Sequence, residues 1–122
     1  MGIAPQTAPA EVETKTGAID LPFLDRVTFR DRALAREVLV LFDEQAESLL
    51  TSIADVDDQR TRREAAHRLK GAARGVGAFD VARAAEEIEA AEDATEFRAA
   101  LAHLTIRVTE ARIALTGLLR AT

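Results

Sequence analysis

The sequence contains no cysteine, tryptophan or tyrosine, and only three prolines. Without cysteine, the chain cannot form disulfides, a thiolate nucleophile or a cysteine-ligated metal site, which fits a reducing compartment. The scarcity of aromatic residues and the abundance of alanine and leucine favour close-packed helices over strands. Because 122 residues match the usual size of a single domain, we expect one all-α domain.

Excess basic charge and long apolar runs are also missing. A net charge of −5 argues against general nucleic-acid binding, which needs a dominant basic surface. No segment approaches the roughly 20 consecutive apolar residues that span a bilayer. The first residues also lack the basic start and apolar run of a secretory signal. We therefore predict a soluble, cytoplasmic protein that binds neither nucleic acid nor membrane.

The first part of the chain differs in composition from the rest. Residues 1–18 contain prolines and glycines without a hydrophobic period, which predicts a flexible tail. The helical domain is predicted over residues 19–122. It should begin with a short helix, because Asp20 is a good N-cap and Pro22 suits the first helical turn.

The first long helix is predicted from about residue 29 to residue 54. Thr28 and Asp31 resemble a weak capping box at its start. Apolar residues recur at helical spacing behind this box, which indicates one buried stripe. The predicted stripe comprises Leu34, Val38, Leu41, Leu49 and Ile53, with Phe42 and Ala46 alongside.

The second and third long helices follow a polar break. Thr61 and Glu64 form a capping box that would begin or reinforce the second helix. Gly75 and Gly77 should interrupt or end it, because glycine weakens a helix interior and readily adopts C-cap dihedrals. The third helix, at about 79–91, is predicted to bury Val81, Ala84, Ala85 and Ile88.

The last helix has the clearest pattern in the chain. Asp93 is its predicted cap, with Glu96 at the reciprocal position. Its apolar residues alternate four and three positions apart: Phe97, Leu101, Leu104, Val108, Ala111, Leu115 and Leu118. Four amphipathic helices with short loops predict an antiparallel up-and-down four-helix bundle, with the short N-terminal helix covering one end.

A candidate site lies in the second long helix, in the stretch "AAHRLKGAARGVGA". Helical spacing places His67 on a polar face with Arg63, Lys70, Gly71 and Arg74. An exposed imidazole is a nucleophile near neutral pH and can accept a phosphoryl group. Lys70 could offer positive charge to the phosphoryl oxygens, and Gly71 removes bulk where a partner must approach.

The same helix concentrates positive charge in an acidic protein. Between Arg60 and Arg74 there are six basic residues and the single acid Glu64. Such a local field would attract an acidic partner surface or a phosphoryl group. A solvated, arginine-rich helix face is the alternative interpretation. The six are Arg60, Arg62, Arg63, Arg68, Lys70 and Arg74.

The His-x-x-Lys-Gly pattern in "AHRLKGAARGVGA", followed by "VARAAEEIE" on the next helix, resembles the histidine-containing phosphotransfer (Hpt) domain of two-component phosphorelays. The match is specific over residues 65–89, and the helix order extends it to about 20–120. The resemblance implies that His67 is the phosphoacceptor, that Lys70 assists the phosphoryl group and that Gly71 leaves room for the partner.

Two further residues bear on this resemblance. It implies that Glu89, on the neighbouring helix, hydrogen-bonds Nδ1 of His67 and directs Nε2 outward as the nucleophile. Glu89 could instead be an ordinary surface glutamate. Arg68 departs from the family, in which many members have a small hydroxyl residue, and this puts the partner preference in doubt.

The implied function is relay of a phosphoryl group between receiver-domain aspartates, for example with the receiver of a hybrid histidine kinase. Arg63, Arg68, Gly71 and Arg74 would contact the receiver, whose own acidic pocket would supply Mg²⁺. We expect this chain to bind no cofactor or metal, because its acids form no recognisable ligand cluster. We also expect a monomeric phosphocarrier rather than an enzyme, since "GVG" fits no nucleotide-binding loop.

Two other classes stay open on sequence alone. The first is a helical adaptor or inhibitor that binds receiver or kinase domains without carrying phosphate. The second is a metal-dependent hydrolase, which is poorly supported because His67 and His103, the only histidines, stand on different helices without zinc-enzyme spacing.

Overall fold

All regular secondary structure in the described part of the chain is helical. The computed structural model describes residues 17–121, so the tail predicted over residues 1–18 falls almost wholly outside it. The predicted all-α class is confirmed. No helix in this part is long and apolar enough to cross a membrane. The helices are α1 (Leu21–Val27), α2 (Arg32–Asp55), α3 (Gln59–Val76), α4 (Phe79–Ala90) and α5 (Ala94–Ala121).

The four long helices form the predicted up-and-down bundle. Each packs against its neighbours in sequence, and α2 also packs against α5, which closes the ring. Arg36, near the start of α2, donates a hydrogen bond to the carbonyl of Leu119, near the end of α5, at 3.0 Å. This pairing of a beginning with an end shows that α2 and α5 are antiparallel.

Helix α1 covers the end of the bundle where α3 gives way to α4. The Asp20 carboxylate caps α1 by accepting a hydrogen bond from the Phe23 N–H, and the Asp20 N–H donates to the Gly77 carbonyl at 2.9 Å. Gly77 ends α3 with φ of 85°, and a Cβ there would lie 3.0 Å from the Asp20 carbonyl oxygen. Gly77 is thus the predicted terminator, whereas α3 runs through Gly75.

The predicted start of the first long helix is wrong by three residues. Thr28 does not cap α2; it is buried at the end of α1, and its hydroxyl donates to the Leu24 carbonyl at 2.7 Å. Phe29 and Arg30 then adopt left-handed dihedrals, with φ of 55° and 58°. Asp31 caps α2 because its carboxylate accepts from the N–H three residues ahead.

The start of α3 differs from its prediction in the same way. Asp58, not Thr61, is the N-cap, and its carboxylate accepts hydrogen bonds from both the hydroxyl and the N–H of Thr61. The Thr61 hydroxyl, and then its N–H, lower the pKa of Asp58. At α5 the predicted cap is confirmed, because Asp93 accepts from the Glu96 N–H at 2.8 Å, although the Glu96 carboxylate accepts from Glu92 rather than Asp93.

The core is built mainly from alanine and aliphatic residues. The predicted stripes of α4 and α5 face it, but the stripe of α2 is rotated. Leu41 is 53% exposed, whereas Leu39, which the prediction omitted, is buried. The observed spacing of three, four and seven residues keeps the buried side chains on one face of α2. These are Leu39, Phe42, Ala46 and Ile53.

Candidate functional site

A line of polar contacts joins α3 to α4, and we call it the α3–α4 seam. Its α3 members are alternately four and three residues apart, so they share one face of the helix. Later residues of α3 contact earlier residues of α4, as antiparallel helices require. The seam consists of Arg63, His67, Lys70 and Arg74 on α3, Glu86 and Glu89 on α4, and the carbonyl of Ala91 just beyond α4.

His67 lies near the middle of the seam. Its side chain is 70% exposed, and its Nδ1 is 3.0 Å from Oε2 of Glu89. A carboxylate can only accept a hydrogen bond here, so a neutral imidazole must carry its proton on Nδ1. Nε2 then has the free lone pair, which gives an exposed histidine with one ring nitrogen held and the other available to an incoming electrophile.

Lys70 is bound by the same carboxylate. Its Nζ is 2.7 Å from Oε1 of Glu89 and 3.8 Å from Oε2 of Glu86, and its side chain is only 14% exposed. Glu89 therefore holds both groups, with one oxygen for each. Partial burial raises the pKa of Glu89, but hydrogen bonds from Lys70 and His67 outweigh this and leave the pKa below its usual value.

The seam continues at both ends through arginines that were predicted to contact a partner. Arg74 donates to Glu86 at 2.9 Å, and both side chains are about half exposed. Arg63 is half-buried and donates to the Ala91 carbonyl at 3.0 Å. Both guanidinium groups are thus engaged within the chain, and their predicted contact with a partner stays a prediction.

Gly71 and Arg68 lie on the outer surface beside His67. Both are exposed, and a Cβ placed on Gly71 would meet no atom within 4 Å. Among residues 17–121, the Arg68 side chain forms no hydrogen bond or ion pair, in contrast to the side chains of the other five cations of the basic cluster. An open groove beside His67 is lined by Gln59, Arg60, Arg63, Glu64 and Arg68.

Sequence reasoning overlooked two members of the seam. Glu86 lies one helical turn before Glu89, so its spacing could have indicated that it faces the same neighbour. The Ala91 carbonyl could not have been found, because a backbone acceptor leaves no mark in the side-chain pattern. Its importance follows only from the packing of Arg63 against the end of α4.

The second histidine has a different environment. His103 on α5 places Nδ1 at 2.9 Å and 3.0 Å from the two carboxylate oxygens of Glu87, and its Nε2 accepts a hydrogen bond from Nε of Arg107 at 3.0 Å. Both ring nitrogens are therefore occupied. Within residues 17–121, no three His, Asp or Glu side chains are grouped so that they could hold a metal ion.

A helical bundle that presents one exposed histidine, with a carboxylate on Nδ1 and a lysine one turn away, has the architecture of a histidine phosphotransfer protein. Comparison with known families agrees, because the Hpt domain model matches residues 34–119. The chain belongs to the Hpt domain family. The matched range covers most of α2 through α5 and leaves α1 outside.

A solved structure gives the same result. The crystal structure of the histidine phosphotransferase ShpA from Caulobacter crescentus is similar to this chain, with a TM-score of 0.60 and 35% sequence identity. The alignment covers 86% of this chain and 98% of that one. A search of the curated proteins found no match.

These findings assign the chain to phosphotransfer in a phosphorelay. An Hpt domain is a phosphocarrier and not a kinase, and in phosphorelays such domains interact with receiver domains and kinases. The family match does not say which residues act or in what order. Those assignments depend on the geometry of the seam.

Proposed function

We propose that His67 is the phosphoacceptor and that this chain relays a phosphoryl group between the aspartates of two receiver domains. The observation that carries the proposal is the contact between Nδ1 of His67 and Glu89 at 3.0 Å on an otherwise exposed imidazole. This contact selects the tautomer whose Nε2 lone pair is free. An aspartyl phosphate on a receiver can then approach that nitrogen directly.

The transfer step exchanges one bond to phosphorus for another. The Nε2 lone pair attacks the phosphorus atom, an N–P bond forms, and the P–O bond to the receiver aspartate breaks as the carboxylate leaves. The proton on Nδ1 stays between His67 and Glu89, which stabilises the positive charge that develops on the ring. In the reverse direction, a second receiver aspartate takes the phosphoryl group from Nε2.

Lys70 and Gly71 support this step in different ways. The ammonium group of Lys70, one turn from His67, would offer a positive charge to the phosphoryl oxygens as they come within reach. Only part of its hydrogen-bonding capacity is used by Glu89, since an ammonium group carries three donors. Gly71 keeps the surface beside His67 low, so that a receiver can bring its aspartate to bonding distance.

The proposal extends to what the carrier takes from its partner. The receiver would supply Mg²⁺ from its own carboxylate pocket, and this chain would bind no cofactor of its own. It would not phosphorylate itself from ATP, because Gly75 lies within α3 and Gly77 ends it, so that the two glycines form no phosphate-binding loop. The cytoplasmic location and the monomeric state stay predictions.

The test is transfer from a labelled, Mg²⁺-loaded phospho-receiver to the wild-type chain and to His67→Ala. Label that appears only on the wild type, and that is labile to acid and stable to alkali, would support a phosphohistidine at His67. Label on both proteins would move the acceptor elsewhere. No label from a broad receiver panel, with both proteins folded, would favour the adaptor instead.

A further inference from the structure

Arg63 holds the end of α4 at a point next to the site. Ala91 is the C-cap residue of α4, and its N–H donates to the Glu87 and Ile88 carbonyls. Its own carbonyl accepts its hydrogen bond from outside α4. The last carbonyls of any helix lack partners within that helix and favour a cation. Arg63 supplies that cation from α3, with Nη2 at 3.0 Å from the Ala91 oxygen.

This contact is partly buried. Ala91 is buried, Arg63 is half-buried, and the Nε atom of Arg63 is buried without a hydrogen-bond partner among the described residues. The side chain thus lies along the seam and does not extend into solvent as a docking residue would. Gln59, one turn earlier on α3, reaches the same carbonyl at 3.5 Å and assists only weakly.

Two cross-helix contacts flank Glu89. Two residues after Glu89, the Ala91 carbonyl accepts a hydrogen bond from Arg63. One helical turn before Glu89, Glu86 accepts a hydrogen bond from Arg74. The pair with Arg74 is about half exposed, and exposed ion pairs contribute little. The Arg63 contact is therefore the stronger of the two restraints on this part of α4.

Glu89 has little freedom to move. It must keep one oxygen 3.0 Å from Nδ1 of His67 and the other 2.7 Å from Nζ of Lys70. Useful hydrogen bonds of this type span only about 2.7–3.2 Å, so a shift of α4 by about 1 Å would break at least one of them. If the bond between Glu89 and His67 is broken, the neutral imidazole of His67 is no longer required to carry its proton on Nδ1.

We infer that Arg63 is a positioning residue for His67: by holding the Ala91 carbonyl, it sets α4 against α3 so that Glu89 selects the Nδ1–H tautomer and leaves Nε2 as the nucleophile. The inference rests on the proposed role of His67. It gives Arg63 a task inside the chain, distinct from the partner contact predicted from its charge.

The experiment is a ¹H–¹⁵N spectrum of the histidine side chains in the full-length chain, recorded where both imidazoles are neutral. The spectrum reports which ring nitrogen carries the proton. The chain has only two histidines, so the spectrum of His67→Ala assigns both. His103 is an internal control, because its contacts with Glu87 and Arg107 do not involve Arg63.

Four proteins are compared: wild type, Arg63→Ala, Arg63→Lys and Arg60→Ala. Arg60 is a matched control, since it lies on the same helix, carries the same charge and forms an ion pair with the exposed Glu64 of its own helix. We expect Nδ1–H at His67 in the wild type and in Arg60→Ala, and a shift towards Nε2–H in Arg63→Ala. Arg63→Lys should restore part of the wild-type signal, because lysine keeps a charged donor.

An unchanged His67 tautomer in folded Arg63→Ala would overturn the inference, and so would an equal shift at His103 or in Arg60→Ala. If Arg63→Ala does not fold, Arg63→Gln, which keeps a shorter neutral donor, is measured in its place with the same expectation. No phosphodonor is used, so this result is independent of transfer. The proposed function fails separately, if the wild type takes no label.

Discussion

The two histidines of this protein are both paired with glutamates of α4, yet only one is suited to chemistry. Glu89 holds Nδ1 of His67, and Glu87 holds Nδ1 of His103, at nearly the same distance. They differ at Nε2: Arg107 donates to Nε2 of His103, whereas Nε2 of His67 has no partner among the described residues.

The surroundings of the two histidine–glutamate pairs also leave His67 more accessible than His103. His67 is 70% exposed and has Lys70 and the unpaired Arg68 beside it, whereas His103 is 36% exposed and its neighbouring cation is already bound to it. On the proposed mechanism, a carboxylate on Nδ1 is not sufficient for a phosphoacceptor. The mechanism also needs a free second nitrogen and a cation that can reach the phosphoryl oxygens.

The sharpest test of this comparison exchanges each histidine for alanine. His67→Ala should lose all label from a phospho-receiver, while His103→Ala should keep it, because only His67 has an accessible Nε2. Transfer is measured with a labelled, Mg²⁺-loaded phospho-receiver, and circular dichroism checks that both variants are folded. Equal loss of label in the two variants would contradict the claim that only His67 is the phosphoacceptor.

Removal of Lys70 should have the next largest effect. Lys70→Ala should slow transfer by about 10²-fold, since one charged donor to a developing oxyanion commonly contributes that much. Receiver binding should fall far less, which titration against the unphosphorylated receiver would show. Arg83→Ala, which removes an exposed cation of α4 that pairs within its own helix, is the control. Identical transfer rates for Lys70→Ala and the wild type would contradict the proposed role of the Lys70 charge.

Arg68 should affect encounter and not chemistry. It is the cation of the basic cluster that no described residue engages, so it is free to meet an acidic receiver surface. Arg68→Ala should lower the association rate by roughly threefold to tenfold at low salt, with the difference fading as salt rises. Stopped-flow binding at several salt concentrations measures this. A deficit that persists at high salt would argue against a steering role.

The smallest effect concerns stability and pH. The pKa of Glu89 is lowered in the folded chain, so its ionised form stabilises the fold above the unfolded-state pKa, and this contribution is lost as pH falls through the lowered folded value. Relative to Glu89→Gln, the wild type should therefore gain on the order of 1 kcal/mol near neutral pH and nothing at strongly acid pH. Urea unfolding across the acid range measures the difference.

A matched variant sharpens this last comparison. Glu87 has a side chain about twice as exposed as that of Glu89, so Glu87→Gln should change the unfolding free energy by less. A gap between wild type and Glu89→Gln that widens towards acid pH would contradict the assigned direction of the Glu89 pKa.

Local patterns predicted much of the fold and failed at identifiable places. The stripe of α5 was predicted because its apolar residues repeat without interruption. Gly77 was predicted as a helix end because glycine readily adopts the dihedrals of a C-cap. Thr28 and Thr61 were misassigned as caps because an aspartate stood within three residues of each and accepts the N–H bond better. In α2, Leu39 and Leu41 are equally apolar, and only packing chose between them.

By itself, the sequence determined the helical class and the shared face of His67, Lys70 and Gly71, because both depend on spacing along one helix. Resemblance to the Hpt domain then pointed to Glu89 and to Nδ1 of His67. Only the tertiary structure decided that one Glu89 carboxylate holds both His67 and Lys70, that Arg63 is engaged while Arg68 is free, and that Nε2 of His103 is blocked. These outcomes depend on contacts between residues or groups whose positions become defined only when the chain has folded and its helices have packed.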